Sequence, residues 1–158
     1  MKVLRATIEQ HGEPEVIGWR EEELPAPAAG EVTVEHTAVG LNYIDTYHRR
    51  GIYPVELPSG LGLEAAGRIT AVGEGVQGFA VDDRVATFGP ALGAYATHRN
   101  VAAGSLFRIP AGVDDQTAAA ALLKACTAEF LVERCARVEA GWPVLVHAAA
   151  GGVGLLLV

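Results

Sequence analysis

The chain has 158 residues, of which half are hydrophobic and a fifth are charged, a balance typical of a folded globular protein with a buried core. Its 19 acidic and 12 basic side chains give a net charge of −7. Such a surface repels phosphate groups, so nucleic acid is not an expected partner. The apolar runs are too short to span a membrane, and charges within the opening MKVLRATIEQ argue against a signal peptide.

The two cysteines, Cys126 and Cys135, lie nine residues apart in a stretch with helical spacing. On a helix they point to opposite faces, so a disulfide between them is not expected. Unpaired cysteines favour a reducing compartment, and we expect a cytoplasmic protein.

The first part of the chain shows strand-like alternation and frequent turn residues. Residues 3–8 and 16–24 flank the turn-like HGEPE and predict an opening antiparallel pair, and residues 32–39 predict a third strand. Further on, LEAAGRITAVG, DRVATF and AYATHRNV predict short strands that glycines and acidic turns separate. Many short strands of this kind indicate a partly open β-barrel.

The segment NYIDTYHRRG interrupts these strands and predicts a short helix. Asn42 is placed at the N-cap, Asp45 at the third helical position and Gly51 just past the end.

The character of the sequence changes after LFRIPAGVDD. Residues 116–138 are rich in alanine and leucine at mostly helical spacing, and they follow the capping candidates Asp114 and Asp115. VLVHAAA is apolar on both faces and predicts a buried strand of a parallel sheet. The sequence therefore predicts a mixed α/β chain, with a β-rich domain over residues 1–122 and the start of an α/β domain over residues 123–158.

A glycine-rich turn follows that predicted strand. Residues 149–154 form a GxGxxG pattern with alanine first, in which Gly151 lets the backbone approach a pyrophosphate and Gly154 lets helix and strand pack closely. The flanking strand and helix favour nucleotide binding, with a plain strand–helix turn as the alternative. The residue that selects NAD or NADP is expected about 20 residues further on, past Val158.

Five ordered motifs resemble the NADPH-dependent quinone oxidoreductases, the zeta-crystallin-like branch of the medium-chain dehydrogenase/reductase superfamily. They are GLNYIDTYHRRGIYP, LGLEAAGRITAVGEGVQGF, DRVATFGPALGAYATH, ALLKACTAEFLV and VLVHAAAGGVG. The resemblance implies a GroES-like catalytic domain followed by a Rossmann domain, in proteins roughly twice as long. It also implies hydride transfer from NADPH to a quinone or a similar α,β-unsaturated carbonyl, in a homodimer. On this resemblance the chain is an N-terminal half, ending inside the first βα unit of the Rossmann domain.

The resemblance further implies that no zinc is bound. Asn42 stands where zinc-dependent relatives carry a cysteine ligand, and Leu63 and Leu123 align with their other two ligands. Cys126 lies near the last of these positions but would need two further ligands, and the chain's two cysteines cannot form a four-cysteine structural site. Asp82 replaces the glycine of the family's Gly-Asp-Arg-Val, and aspartate tolerates the turn geometry expected there.

The resemblance places Asn42 and Tyr47 at the catalytic site. The Asn42 amide would orient the nicotinamide or the substrate, although an N-cap role alone also explains an asparagine. Tyr47 would border cofactor and substrate, although its spacing from Tyr43 equally fits an aromatic pair in the core. Either Tyr47 or water could protonate the reduced quinone. On the resemblance, the apolar cleft is expected to form from Tyr43, Tyr47, the loop ALGAY and the family's C-terminal segment, which is not in this sequence.

Lys124 interrupts an otherwise apolar helix. On the resemblance, Lys124 and Thr127 share a helical face and reach the cofactor, whereas the alternative is a lysine that only extends to the surface. Glu64 is either a buried acid or an exposed strand residue, and His147 is expected to be a core histidine. The residues expected to bind the cofactor are Asn42, Tyr47, Lys124, Thr127, Ala150, Gly151, Gly152, Val153 and Gly154.

Two functional hypotheses follow for a chain of this extent. The first is an oxidoreductase that is weak or inactive as this chain alone, because the strands that bind ribose and adenine are not in the sequence. The second is a non-catalytic β-barrel fragment that self-associates, or pairs with another chain, through its apolar LLLV ending.

Overall fold

A computed structural model describes residues 1–89 and 91–158 and divides the chain into two compact units, Met1–Ala120 and Ala121–Val158. The division falls two residues from the predicted boundary at residue 122. The strands are β1 Lys2–Ile8, β2 Gly18–Glu23, β3 Glu31–Gly40, β4 Ser59–Gly60, β5 Glu64–Val72, β6 Arg84–Phe88, β7 His98–Ala102 and β8 Leu106–Arg108. The helices are α1 Tyr43–Arg50, α2 Asp115–Glu129 and α3 Gly154–Leu157, with a π-helical segment at Phe130–Ala136 and 3-10 turns at Pro14–Val16 and Ala103–Ser105.

The first unit is built on two antiparallel sheets. A three-stranded sheet has the order β2-β1-β4, and a five-stranded sheet has the order β7-β3-β5-β6-β8. The predicted opening pair is confirmed, with Val3 opposite Glu22. An isolated bridge between Arg5 and Ala96 links β1 to the segment before β7.

The hydrophobic core of this unit lies on one face of the five-stranded sheet. Val32 and Val34 of β3 point to the same face of the sheet, because strand side chains alternate between faces, and both lie in the core. Thr33 between them is buried as well, and its hydroxyl donates to Asn100 Oδ1 over 2.7 Å. Each buried valine, leucine or isoleucine contributes about 1.5–3 kcal/mol by leaving water. The core residues are Val32, Val34, Ile69, Val85, Val101 and Leu106.

The turn before β6 accommodates the replacement of glycine by Asp82. Asp82 has a φ of 72°, in the left-handed region, and its backbone N–H donates to the carbonyl of Ile69 over 2.9 Å. The prediction that aspartate preserves this turn is confirmed. Among the described residues, the structure contains no helix that is long and apolar enough to cross a membrane.

Helix α1 has the predicted boundaries and caps. Asn42 is extended, with φ −128° and ψ 148°, and its backbone N–H donates to the Asp45 carboxylate over 2.8 Å. Gly51 ends the helix in the left-handed conformation with a φ of 75°. The structure therefore fixes Asn42 at the junction between β3 and α1.

Helix α2 begins as predicted but ends differently. The Asp114 carboxylate accepts the Thr117 backbone N–H over 2.7 Å, the expected N-cap contact, and this bond is the main cause that lowers the pKa of Asp114. Regular α-helix stops at Glu129, and a π-helical segment continues to Ala136, where Arg137 caps it with a φ of 50°. The predicted helix over residues 116–138 is thus present as two different helical forms.

The predicted buried strand VLVHAAA is wrong for this chain. Residues 144–150 form no strand, and Val144 and Leu145 are 56% and 81% exposed. A strand needs a hydrogen-bonded neighbour, and none is present among residues 121–158 of the structure. His147 is exposed, so its expected place in a core is wrong for the same reason.

Candidate active site

Asn42 and Glu64 meet in the interior of the first unit. The Asn42 Nδ2 donates to Glu64 Oε2 over 2.8 Å, and the two side chains are 7% and 0% exposed. Glu64 begins β5 and lies opposite Gly40, the last residue of β3. Of the two alternatives for Glu64, the structure supports the buried acid.

A second hydrogen-bond chain fixes the start of α1. Tyr95 Oη donates to Asp45 Oδ2 over 2.6 Å, and the same carboxylate accepts the Asn42 backbone N–H. Burial, and then the bond to Asp45, raise the pKa of Tyr95 well above its ordinary value. Tyr95 therefore stays protonated and ties the loop ALGAY to α1, a role that sequence reasoning missed because the partners are 50 residues apart.

Tyr47 lies within an aromatic cluster on and beside α1. Its ring centroid is 5.2 Å from that of Tyr43 and 5.3 Å from that of Tyr53, both edge-on. Tyr47 is half-buried, whereas Tyr43 is 76% exposed. The contact of Tyr43 with Tyr47 that the spacing predicts is present, but the exposure of Tyr43 shows that the pair does not lie in the core. Contact of Tyr47 with a substrate or cofactor stays a prediction.

An open apolar cleft of about 490 Å³ lies elsewhere in this unit. Tyr95 of the loop ALGAY lines it, but Tyr43 and Tyr47 do not, so it is not the cleft that the resemblance predicts, and that cleft stays a prediction. Trp19 and His36 line it instead, and no local pattern in the sequence marks either of them. The lining residues are Trp19, His36, Thr37, Ala38, Val39, Leu41, Tyr95, Ala96 and Thr97.

The His36 ring in this cleft is held neutral. Its Nδ1 donates to the Ala96 carbonyl over 2.9 Å, so the proton of the neutral ring lies on Nδ1. Burial, and then the positive charge of Arg99, lower its pKa from 6.5 to about 4, with a smaller contribution from His98.

We expect the free energy of unfolding to fall by about 3 kcal/mol as the pH decreases from about 7.5 to 4, because the unfolded state then binds a proton that folded His36 does not bind. Above about pH 7.5, where the unfolded histidine is also neutral, the contribution is fully present. Urea unfolding at a series of pH values measures it, and His36→Gln should flatten the profile across this window. An unchanged slope in His36→Gln would contradict the assignment to His36.

The glycine-rich turn of the second unit is tightly closed. Ala148 has a φ of 52°, and its carbonyl accepts the Gly151 N–H over 2.8 Å. Gly154 is buried at the start of α3, and a Cβ placed on it would overlap the Ala148 carbonyl oxygen and lie 2.7 Å from the Ala149 Cα. The close approach predicted for Gly154 is therefore present, although the preceding segment is not a strand.

Lys124 lies beside this turn within the second unit. A Cβ placed on Gly152 would be 2.9 Å from Lys124 Cδ and 3.0 Å from Cε, so the aliphatic stem runs against the glycine. Thr127 Oγ1 donates to the Leu123 carbonyl over 2.8 Å, one helical turn back. The structure thus places Lys124 beside the glycine-rich turn, whereas the Thr127 hydroxyl donates a hydrogen bond within its own helix.

The residues aligned with zinc ligands offer no metal site. Leu63 is buried, and Asn42 donates its amide hydrogen to Glu64. Over residues 1–89 and 91–158, no group of three or more His, Cys, Asp or Glu side chains is arranged to hold a metal ion. The side chains present thus do not fit a zinc ion.

Known proteins resemble the chain in sequence and in structure. Residues 28–111 match the alcohol dehydrogenase GroES-like domain. A quinone oxidoreductase of Pseudomonas aeruginosa is 45% identical over 152 residues, covering 96% of this chain and 47% of that protein. A 2-haloacrylate reductase of a Burkholderia species is 41% identical over 162 aligned positions, covering 99% of this chain and 49% of that protein. The crystal structure of Escherichia coli quinone oxidoreductase complexed with NADPH superposes with a TM-score of 0.95 at 42% identity, over 98% of this chain and 48% of that one.

These matches, together with the two sheets and the glycine-rich turn, define the class of protein. The chain belongs to the alcohol dehydrogenase GroES-like family. Within that family it corresponds to the N-terminal half of the quinone oxidoreductases, and it spans about half the length of the relatives it matches. The predicted family and fold class, a GroES-like domain followed by the start of a Rossmann domain, are confirmed.

Proposed function

We propose that the protein is a zinc-independent oxidoreductase that transfers a hydride from NADPH to a quinone or a similar α,β-unsaturated carbonyl. The observation that carries the proposal is the closed turn over residues 148–154, in which Gly154 leaves no room for a side chain. A turn of this kind directs backbone N–H groups toward a pyrophosphate. The 2-haloacrylate reductase among the relatives supports an electron-poor alkene as the acceptor class.

The residues present fit the pyrophosphate end of NADPH. Ala150, Gly152 and Val153 would bind it through their backbone N–H groups, and Gly151, whose own N–H is bonded to the Ala148 carbonyl, would let the chain approach it closely. Lys124, whose stem lies against Gly152, would add a positive charge. Thr127 would follow on the same helix. When bound, NADPH supplies the hydride, and the protein supplies orientation and the exclusion of water.

The catalytic contribution of the first unit would come from Asn42 and Tyr47. The Asn42 amide, fixed by Glu64, would orient the nicotinamide or the acceptor. The Tyr47 hydroxyl, or water, would protonate the oxygen of the reduced acceptor. Tyr95 does not suit this step, because its raised pKa and its bond to Asp45 keep its proton in place.

Titration of the chain with NADPH, followed by proton–nitrogen correlation NMR, tests this proposal. We expect shifts concentrated at residues 150–154 and at Lys124. Gly154→Ala should weaken binding about tenfold or more, equivalent to ~1.4 kcal/mol, because the turn cannot close around a Cβ. Gly104→Ala is the matched control, since a Cβ there meets open space. Shifts that avoid the turn, or that survive in Gly154→Ala, would argue against the cofactor site.

Turnover by the 158-residue chain alone is expected to be weak or absent. The described residues 121–158 contain no strand, so the surface that would hold ribose and adenine is not formed by them. The measurement is NADPH oxidation with a naphthoquinone acceptor. Robust turnover would contradict this expectation while supporting the assigned reaction.

A non-catalytic fragment that self-associates is the second candidate. The second unit has an apolar groove of about 610 Å³, and Leu145, Leu155 and Val158 are 81%, 64% and 82% exposed. Apolar surface of this kind favours association. Light scattering over a range of concentrations tests it, and a monomer at every concentration would count against it.

A further inference from the structure

We propose that Glu64 is the positioning residue of Asn42: its buried carboxylate holds the Asn42 carboxamide in one of its two flipped orientations. The inference rests on the proposed function in one respect, that Asn42 contacts the cofactor or the acceptor. The hydrogen bond itself is a property of the first unit alone.

The geometry selects one orientation of the amide. A carboxamide can rotate by half a turn and exchange its oxygen and nitrogen, and the two forms have nearly the same shape. Only Nδ2 can donate to a carboxylate, and it lies 2.8 Å from Glu64 Oε2. The reversed form would bring Oδ1 against Oε2, two acceptors in a buried site, which costs free energy.

The backbone of Asn42 is fixed by a different contact. Its N–H donates to the Asp45 carboxylate over 2.8 Å, and that carboxylate also accepts the Tyr95 hydroxyl. The Asn42 main chain is therefore anchored to α1, and its side chain is anchored to β5. The Asn42 side chain also accepts the Asp45 backbone N–H in the capping box of α1, so the cap and Glu64 favour the same orientation of the carboxamide.

Glu64 is itself confined by the surrounding backbone. It is fully buried, and a Cβ placed on Gly40 would overlap Oε2 and lie 2.7 Å from Cδ. Packing alone could be satisfied by an apolar side chain of similar length, such as methionine. An acceptor oxygen is required only if it has to accept a hydrogen bond, as Glu64 Oε2 does from Asn42.

The functional consequence is that the oxygen and the nitrogen of the Asn42 carboxamide each face a fixed direction. With Nδ2 directed to Glu64, Oδ1 lies on the other side of the amide carbon, and a carbonyl oxygen only accepts hydrogen bonds. Oδ1 already accepts the Asp45 backbone N–H in the capping box, and any further group that meets it must also donate. A hydroxyl or a carboxamide N–H satisfies this requirement, whereas a quinone carbonyl does not.

The experiment compares Glu64→Gln with Glu64→Met by proton–nitrogen correlation NMR of the Asn42 carboxamide. Glutamine keeps an acceptor oxygen at the same place, so the Asn42 signals should stay dispersed and slow to exchange with solvent. Methionine keeps the volume and removes the acceptor, so exchange should become about tenfold faster while the backbone signals of β5 and α1 stay in place. Unchanged carboxamide exchange in Glu64→Met would overturn the proposal.

A reciprocal exchange keeps the test decisive if Glu64→Met does not fold. Asn42→Asp places two carboxylates in contact and should lower the thermal midpoint of unfolding. Asn42→Asp combined with Glu64→Gln restores one donor and one acceptor, with the residue at position 64 now donating to the residue at position 42. Recovery of the midpoint in the double variant supports the assigned bond, and a double variant no better than Asn42→Asp refutes it. Neither measurement uses NADPH, so failure here is distinguishable from failure of the proposed function.

Discussion

Gly40→Ala is expected to destabilise the first unit by about 3 kcal/mol, the upper end of the range for overpacked interiors. A Cβ on Gly40 would overlap the Ala119 carbonyl oxygen and Glu64 Oε2. The first belongs to the backbone of α2, and the second belongs to a buried side chain that Asn42 holds in place. Because neither can yield without breaking other contacts, the cost appears as lost stability, which urea unfolding followed by circular dichroism measures.

The matched control for this substitution is Gly104→Ala. A Cβ at Gly104 meets nothing within 4 Å, so the change should stay within about 0.5 kcal/mol of the parent chain. Equal midpoints for Gly40→Ala and Gly104→Ala would show that β3 and α2 can separate at no cost, contrary to the packing described.

The features that the sequence predicted correctly depend on short-range chemistry. The N-cap, the third helical position and the terminal glycine of α1 lie within ten residues, and each acts on the backbone next to it. The same holds for Asp114, which caps α2 through Thr117, and for the left-handed Asp82. Caps and turns of this kind can be predicted from the sequence because they depend only on residues that are close along the chain.

The strand predicted from VLVHAAA failed for a physical reason that its own residues do not reveal. Apolar residues with strand preference become a strand only when a neighbour completes the hydrogen bonds. Val144 and Leu145 meet no strand among residues 121–158 and remain exposed. The turn that follows keeps its geometry, because the contact of Gly154 with Ala148 is local.

The candidate site was only partly predictable. Motif resemblance proposes Asn42 and Tyr47 as site residues, but the surroundings of Asn42 depend on Glu64 from β5 and, through Asp45, on Tyr95 from the loop before β7. Sequence periodicity predicts which face of a strand a residue occupies, but not which side chain it contacts. The sequence therefore could not decide whether Glu64 is a buried acid or an exposed strand residue. The pairing of Asp45 with Tyr95 has no signal in either local segment.

These contacts together explain why the start of α1 is so closely fixed. Gly40 leaves space for the Glu64 carboxylate, Glu64 accepts the Asn42 amide, and Asp45 accepts the Asn42 backbone. Tyr95 then attaches the loop to Asp45. The four polar residues, Glu64, Asn42, Asp45 and Tyr95, are joined by hydrogen bonds. The loss of one side chain therefore leaves buried polar atoms of its neighbours without a partner.

Asp45→Ala is expected to have the largest effect, a loss of about 4 kcal/mol. Asp45 is 4% exposed, and its removal leaves the Asn42 N–H and the Tyr95 hydroxyl without an acceptor, at roughly 1–3 kcal/mol each. The helix also loses a negative charge at its N-terminus. Thermal and urea unfolding measure the loss, and Tyr95→Phe, which removes one of the two donors, should cost about half as much. A Tyr95→Phe chain as unstable as Asp45→Ala would show that the tyrosine bond, and not the cap of α1, carries the stability.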